Sequence, residues 1–225
     1  MSIGPGRDEG QLHASRPEET GRRYDAIAAW WVSQESTSSS GVRYLPRAIA
    51  LCTKGRKALD VGCGSGGRVI AALTHGGFQV VGLDVSPTML EYAKARHPEA
   101  SFIRADICEW QAPEEYDLIV AWDSIFHVPH DSQRPVVEKL CDALAPGGAI
   151  LFTAGGVDGE ITGEMSGQTF YYSSLADEDY LRILKQRGCT AVLLERDQYP
   201  EDHLVVLGAR REDRGARSKK QGVRR

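Results

Sequence analysis

The feature that most constrains the fold of this chain is a glycine-rich turn between a predicted strand and a predicted helix. The segment Lys57–Val61 has the apolar sequence KALDV, and GCGSGG follows it directly at 62–67. Apolar residues with helical spacing then occur over 69–73. In an α/β sheet, such a turn lies at the carboxyl edge of its strand, where nucleotide-like ligands bind. The turn therefore predicts both a fold class and the position of a binding site.

The rest of the chain alternates in the same way between strands and helices. We predict helices over 22–32, 44–52, 69–73, 87–96, 135–144 and 175–188, and strands over 57–61, 78–83, 101–105, 116–122, 149–153, 191–196 and 204–209. Ser86 is the predicted N-cap of the fourth helix. This alternation predicts an α/β fold with a mostly parallel sheet and helices on both faces. Only residues 197–203 separate the last two strands, so these strands should form an antiparallel hairpin.

The 225 residues predict a single domain at 20–210, preceded by a disordered segment at 1–19 and followed by a basic disordered tail at 211–225. Within the domain, residues 20–53 are predicted to form an N-terminal helical cap. Residues 155–174 are predicted to form a long irregular loop that contacts the substrate, because loops of this length in compact domains are usually functional.

Composition excludes several classes of function. No run approaches 18 apolar residues, so no membrane span is expected. The first ten residues lack an apolar segment and the five cysteines are widely spaced, which predicts a cytoplasmic protein with neither a disulfide framework nor a zinc site. Residues 210–225 hold eight basic and two acidic residues, which leaves 19 basic and 29 acidic residues in 1–209. A body this acidic argues against nucleic acid as a partner, although the tail could touch an anionic one.

The glycine turn alone is compatible with two ligands. Gly62, Gly64 and Gly67 satisfy the GxGxxG pattern of a dinucleotide site, so an NAD(P)-dependent oxidoreductase is one alternative. Asp60 favours the other, because its carboxylate would repel a pyrophosphate but suits the cationic end of S-adenosyl-L-methionine. Free helix N–H groups would suit the carboxylate of that ligand. Asp60 could instead be a loop-capping carboxylate.

Two further carboxylates end the next two predicted strands. Asp84 could accept hydrogen bonds from both ribose hydroxyls of a nucleoside, and Asp106 could reach an adenine amino group. Taken alone, each is at least as well explained as a turn residue or helix cap. Together with Asp60, they favour a nucleoside ligand across three strand ends.

Five segments together resemble the class I S-adenosylmethionine-dependent methyltransferases of small-molecule type. These are LDVGCGSGG, GLDVSPTML, RADICEW, YDLIVAWDSIFHV and LAPGGAILFT, and the resemblance covers about residues 22–210. It implies a Rossmann-like, seven-stranded sheet in the order 3-2-1-4-5-7-6 with strand 7 antiparallel. It also implies S-adenosyl-L-methionine as cofactor and S-adenosyl-L-homocysteine as product. The expected cofactor-binding residues are Tyr24, Trp31, Asp60, Gly62, Cys63, Gly64, Gly66, Asp84, Val85, Met89, Asp106, Ile107 and Trp122. Met89 and Trp122 could also be plain core side chains.

The end of the fourth strand bears on the methyl acceptor. It lacks the Asn-Pro-Pro-aromatic motif of the family members that methylate amide or base nitrogens, which argues against nucleobase and glutamine acceptors. His127 is the candidate general base, because histidine titrates near neutral pH, with a structural role as the alternative. Asp123, His127, His130 and Asp131 could in principle bind a metal, but no metal is expected.

Aromatic residues suggest an enclosed site for a small, flat or apolar acceptor. The expected substrate-binding residues are Trp30, Asp123, His127, Tyr171, Tyr172 and His203. We expect the N-terminal helix and residues 155–174 to form a mobile cover, although their aromatics could simply dock the two segments. The predicted function is methyl transfer to a small molecule by a monomer or homodimer without nucleic-acid or membrane partners. The alternatives are the oxidoreductase and a non-catalytic binder of S-adenosylmethionine.

Overall fold

The computed structural model describes residues 16–35, 41, 43–199 and 202–212. The helices are α1 Pro17–Glu35, α2 Leu45–Leu51, α3 Arg68–His75, α4 Pro87–Arg96, α5 His130–Asp142 and α6 Asp177–Gln186, with a 3-10 helix at Ile125–His127. The strands are β1 Lys57–Val61, β2 Gln79–Asp84, β3 Ser101–Arg104, β4 Tyr116–Ala121, β5 Leu144–Ala154, β6 Gly159–Met165, β7 Gln168–Ser174, β8 Cys189–Asp197 and β9 His203–Arg210.

Seven of these strands form one sheet in the order β3-β2-β1-β4-β5-β9-β8. The pairs from β3 to β5 are parallel, whereas β9 is antiparallel to both β5 and β8. Since β8 and β9 are the sixth and seventh strands of this sheet along the chain, the predicted order and the reversed last strand are confirmed. The remaining strands, β6 and β7, form a separate two-stranded sheet.

The central strand β4 shows how the sequence produces two layers of helices. Leu118 and Val120 belong to the apolar cluster that contains α2 and α3 residues. Ile119 and Ala121 belong to the cluster that contains α5 and α6 residues. Successive side chains of a strand point to opposite faces, so a strand covered on both sides needs a continuous apolar run. The predicted packing of helices on both faces of the sheet is confirmed.

The sheet brings the ends of several strands to one edge. Because β1 to β5 are parallel, Asp60, Asp84 and Asp123 lie at or just beyond carboxyl ends on that edge. β9 runs in the opposite direction, and its second residue, Leu204, pairs with Ala154 at the end of β5. The first residue of β9, His203, is therefore at this edge as well.

Two predictions about segments of the chain are wrong. α1 begins at Pro17, so residues 17–19 are helical rather than disordered, while residues 1–15 lie outside the described residues. Residues 155–174 contain the hairpin of β6 and β7 rather than an irregular loop. Its turn residues Ser166 and Gly167 have φ values of 50° and 75°, as in the two-residue turns that suit hairpin twist. Of the predicted tail, residues 213–225 lie outside the described residues.

Candidate functional site

A cavity at the carboxyl edge of the sheet brings most of the predicted site residues together. It encloses about 1040 Å³, with open solvent at its mouth included. The predicted residues that line it are Tyr24, Trp31, Asp60, Gly62, Cys63, Gly64, Asp84, Val85, Met89, Ile107, Trp122, Asp123 and His127. Lining residues that the sequence did not single out include Pro17, Arg68, Val69 and Ser124.

Six predicted residues lie outside the described lining, namely Trp30, Gly66, Asp106, Tyr171, Tyr172 and His203. Two of them have a visible structural role. Gly66 has φ +70°, and a Cβ there would lie 3.0 Å from the Ala93 Cα of α4, so this glycine allows close packing. The Asp106 carboxylate accepts a hydrogen bond of 2.7 Å from the Cys108 backbone N–H, which is the turn-stabilising role that its position also suggested. Direct cofactor contact by these two residues stays a prediction.

Gly62, directly after β1, lies against Ser124, which follows β4. Its φ is +67°, and an added Cβ would lie 2.3 Å from the Ser124 Cβ. The Ser124 hydroxyl donates to the Val61 carbonyl at 2.7 Å, which ties the two strand ends together. Gly64 has a similar φ of +54° but no atom within 4 Å of its added Cβ. Of these two glycines, Gly62 is required both by its backbone conformation and by its neighbour, whereas Gly64 is required by its backbone conformation alone.

Asp84 connects the end of β2 to the glycine turn. One carboxylate oxygen accepts from the Gly64 backbone N–H and the other from the Ser86 backbone N–H, both at 2.8 Å. Burial raises the pKa of Asp84, and these backbone N–H groups act in the opposite direction. The side chain is therefore held in a fixed orientation within the cavity lining, with lone pairs left for further donors.

α1 is fastened over this part of the cavity. The Asp25 carboxylate accepts from the Ser86 hydroxyl at 2.5 Å and from the Thr88 backbone N–H at 3.1 Å. Ser86 also accepts from the Met89 backbone N–H, which confirms the predicted N-cap of α4. A Cβ on Gly21 would lie 2.9 Å from the Val85 side chain. α1 thus contacts the segment that follows Asp84 directly.

His127 lies between α1 and the β6–β7 hairpin. Its Nδ1 is 2.9 Å from the Tyr171 carbonyl oxygen, and its Nε2 is 2.9 Å from the Tyr24 hydroxyl. The ring packs on Tyr172 at a centroid distance of 4.7 Å, while Tyr24 packs on Phe170 at 4.8 Å. Burial lowers the pKa of His127 to about 4 and raises the pKa of Tyr24 well above its usual value. Both groups are therefore neutral near pH 7.

Tyr171, expected to contact substrate through its ring, acts here through its backbone. The side chain is only 1% exposed. Its hydroxyl donates to Glu160 at 2.5 Å and accepts from the His130 backbone N–H at 3.2 Å. The ring therefore fixes the hairpin against the start of α5, and the carbonyl orients His127.

Trp30, another expected substrate-binding residue, contacts Trp31 at a distance of 6.4 Å between ring centroids.

Asp123 is held by residues from three other parts of the sheet edge. Its Oδ1 accepts from Gln198 at 2.7 Å and from the Thr153 hydroxyl at 3.2 Å. The His203 Nδ1 lies 3.4 Å from the same oxygen, and Arg68 lies 3.7 Å from Oδ2. The backbone of Asp123 has φ +50°, a region that non-glycine residues seldom adopt. These contacts orient the carboxylate at the β4 side of the cavity.

Among the residues that the structure describes, no group of three or more His, Cys, Asp or Glu side chains could hold a metal ion. None of the described helices is both long and apolar enough to cross a bilayer.

Comparison with known proteins places this cavity in context. Residues 58–148 match the family described as "Methyltransferase domain". A trans-aconitate 2-methyltransferase of Rhizobium leguminosarum bv. trifolii is 35% identical over 127 residues, which are 54% of this chain and 48% of that protein. A ubiquinone biosynthesis O-methyltransferase of Stutzerimonas stutzeri is 27% identical over 144 residues, 58% of this chain and 60% of that protein. The chain thus spans about half to three fifths of the length of these relatives.

Solved structures agree on the fold. The 1,6-didemethyltoxoflavin-N1-methyltransferase of Burkholderia thailandensis, solved with bound 1,6-didemethyltoxoflavin and S-adenosylhomocysteine, superposes with a TM-score of 0.64. The two chains are 19% identical, and the match covers 94% of this chain and 95% of that one. The sugar N-methyltransferase KedS8 from Streptoalloteichus also gives a TM-score of 0.64, at 18% identity over 94% of this chain and 99% of that chain.

Proposed function

We propose that this chain is a class I S-adenosylmethionine-dependent methyltransferase, which its match to the methyltransferase-domain family over residues 58–148 supports, and that it transfers a methyl group from S-adenosyl-L-methionine to a small-molecule acceptor. The observation that carries the proposal is the arrangement of Asp60 and Asp84 around the glycine turn within one cavity. Asp60 is 3% exposed, so its carboxylate would face a bound ligand in a poorly solvated environment, where charge complementarity counts strongly.

The residues present fit the cofactor. Asp60 would hold the ammonium group, and the lone pairs of Asp84 would accept hydrogen bonds from the ribose hydroxyls. Met89 and Ile107, both in the cavity lining and both buried, would pack against the adenine ring. When bound, S-adenosylmethionine supplies a methyl group activated by its sulfonium, for in-line displacement by the acceptor.

The protein's own contribution to this reaction is alignment and exclusion of water. Trp122 is 5% exposed and lines the cavity beside Asp123, at the end of β4. The backbone of Gly41 packs against its indole, since a Cβ there would lie 2.4 Å from the ring. An indole ring held this firmly would help to align the acceptor with the donor methyl group. We propose a small molecule as the partner, and a cytoplasmic location.

The test is calorimetry with S-adenosyl-L-homocysteine and, separately, with NAD. S-adenosylhomocysteine should bind and NAD should not, because the Asp60 carboxylate would repel the pyrophosphate. Binding of NAD alone would overturn the proposal in favour of the oxidoreductase. Turnover of S-adenosylmethionine with a panel of metabolites then separates an enzyme from a non-catalytic binder.

A further inference from the structure

The hydrogen bonds around His127 fix the position of two protons. A carbonyl oxygen can only accept a hydrogen bond, so the contact to the Tyr171 carbonyl requires the proton on Nδ1. The Nε2 of this neutral ring is then an acceptor only. The Tyr24 hydroxyl, 2.9 Å away, must donate to it. The orientation and the tautomer of His127, in the 3-10 helix, are thus set by Tyr24 of α1 and Tyr171 of β7.

The Tyr24 hydroxyl oxygen is limited in the hydrogen bonds that it can form within the cavity. Tyr24 and His127 both line the cavity, and the only proton of the hydroxyl is committed to Nε2. The oxygen can therefore accept further hydrogen bonds but cannot donate one. The low pKa of His127 and the high pKa of Tyr24, both caused by burial, keep the two protons in these places across the neutral pH range.

The charged side chains on the same side of the cavity offer an anion no net attraction. Asp123, two residues after β4, contributes a carboxylate to the lining. Arg68 supplies a positive charge there, but it lies 3.7 Å from that carboxylate, so the two charges offset each other. An anionic acceptor would find no net positive charge in this pair and no hydrogen-bond donor in Tyr24 or His127. Such an arrangement selects against carboxylates.

We infer that the methyl acceptor is a neutral or cationic molecule that donates a hydrogen bond, from a hydroxyl or an amine, to the Tyr24 oxygen. This inference rests on the proposed function and narrows it. The acceptor we infer for this chain differs in chemical class from a carboxylate such as trans-aconitate, which the name of one relative gives as its substrate. His127 is then a positioning residue that acts through Tyr24, and the role of direct general base expected for it is replaced.

The experiment compares three probes of one size: benzyl alcohol, benzylamine and benzoate. Each is titrated into the complex of the protein with S-adenosylhomocysteine, and binding is followed by NMR through the indole N–H signals of Trp31 and Trp122, which line the cavity. Benzyl alcohol and benzylamine, which represent hydroxyl and amine donors, should each bind roughly three- to tenfold more tightly than benzoate, the scale of one net hydrogen bond.

Two variants test the assigned atoms. Tyr24→Phe should remove the preference for the donors, whereas Tyr116→Phe, a matched loss of a buried hydroxyl at the start of β4 and outside the cavity lining, should keep it. His127→Leu should raise the affinity for benzoate relative to benzyl alcohol, because the Tyr24 hydroxyl is then able to donate. A purely structural role of His127 would weaken all three probes alike.

The inference is overturned if benzoate binds as tightly as the donors in the wild type, or if neither donor binds up to its solubility limit. It is also overturned if Tyr24→Phe keeps the preference. Failure of the proposed function gives a different result, because S-adenosylhomocysteine itself would then not bind. In that case the same titrations on the free protein still report on Tyr24 and His127.

Discussion

The two sides of the cavity are built in different ways. On the side of β1 to β3, the Asp84 carboxylate bonds to Gly64 and Ser86, which are 20 and 2 positions away. On the side of β4, His127 bonds to Tyr24 and Tyr171, which are 103 and 44 positions away. The first side is encoded largely by short motifs, to which Asp25 adds α1, whereas the hydrogen bonds of His127 form only once distant segments have come together.

This difference decides how each side responds to change. A short motif fixes its own geometry through backbone N–H groups and positive φ angles, so single substitutions there act locally and strongly. The β4 side depends on α1 and the β6–β7 hairpin docking against the 3-10 helix. Substitutions on the β4 side should therefore change the shape of the acceptor site. They should also change the docking of α1 and the dependence of protein stability on pH, even without cofactor.

The largest effect is expected at Gly62, where the two sides touch. Gly62→Ala combines a left-handed backbone with the clash against Ser124, and should cost roughly 2–5 kcal/mol of unfolding free energy. Gly64→Ala carries the backbone strain without the clash and should cost roughly 1–2 kcal/mol. Urea unfolding measures both. Equal losses would show that the approach of β1 to β4 is not constrained at this point.

The pH dependence of stability should reveal the buried His127. The unfolded chain binds a proton at this residue below its usual pKa of 6.5, but the folded chain does so only below about 4. Falling pH between 6.5 and 4 therefore favours unfolding, by about 3 kcal/mol in total. His127→Leu should remove this part of the dependence.

The control for that measurement is His75→Leu, at an exposed position in the last turn of α3. The stability of this variant should still fall between pH 6.5 and 4, because His127 is present. If the two variants give the same curve, the burial of His127 does not control acid stability. Denaturant unfolding at a series of pH values gives both curves.

A smaller effect is expected at the contact of α1 with α4. Asp25→Asn weakens the hydrogen bonds from Ser86 and Thr88 and should cost about 1.5–3 kcal/mol, the range for bonds to a charged group. Hydrogen exchange should accelerate across α1 more than in β4. Arg23→Gln, which removes an ion pair with Glu19 on the same helix, should cost under about 0.5 kcal/mol. Similar exchange in both variants would show that Asp25 does not fasten the predicted cover.

The same contrast explains what the sequence could and could not predict. The mostly parallel sheet followed from alternation and the antiparallel last pair from the short link between its strands, whereas the strand order came from the family resemblance. The start of α5 did not, because Pro135 fits a first helical turn, whereas the helix begins at His130, whose N–H bonds to the Tyr171 hydroxyl. The hairpin was missed because Ser166 adopts positive φ without being a residue typical of such turns.

Most of the predicted site residues in the segments LDVGCGSGG, GLDVSPTML and RADICEW lie in the cavity lining, although Gly66 and Asp106 do not. His127 was identified, but its two hydrogen-bond partners come from distant segments, so its role could not be derived from spacing. Arg68 directly follows the segment LDVGCGSGG and Ser124 lies within YDLIVAWDSIFHV, so their positions in the sequence were the only signal for them. Tyr171 was found for its ring, although the structure uses its carbonyl.

The division of the cavity is tested most directly by calorimetry of S-adenosyl-L-homocysteine with the wild type, Asp84→Asn and Tyr24→Phe. Asp84→Asn should weaken binding by roughly 1.5–3 kcal/mol, the scale of hydrogen bonds to a charged group, because the ribose hydroxyls lose their carboxylate. Tyr24→Phe should leave the dissociation constant within about twofold, because we assign its hydroxyl, bonded to His127, to the acceptor side and not to the cofactor contact that the family resemblance implies. A loss in Tyr24→Phe as large as that in Asp84→Asn, or unchanged binding in Asp84→Asn, would contradict this division.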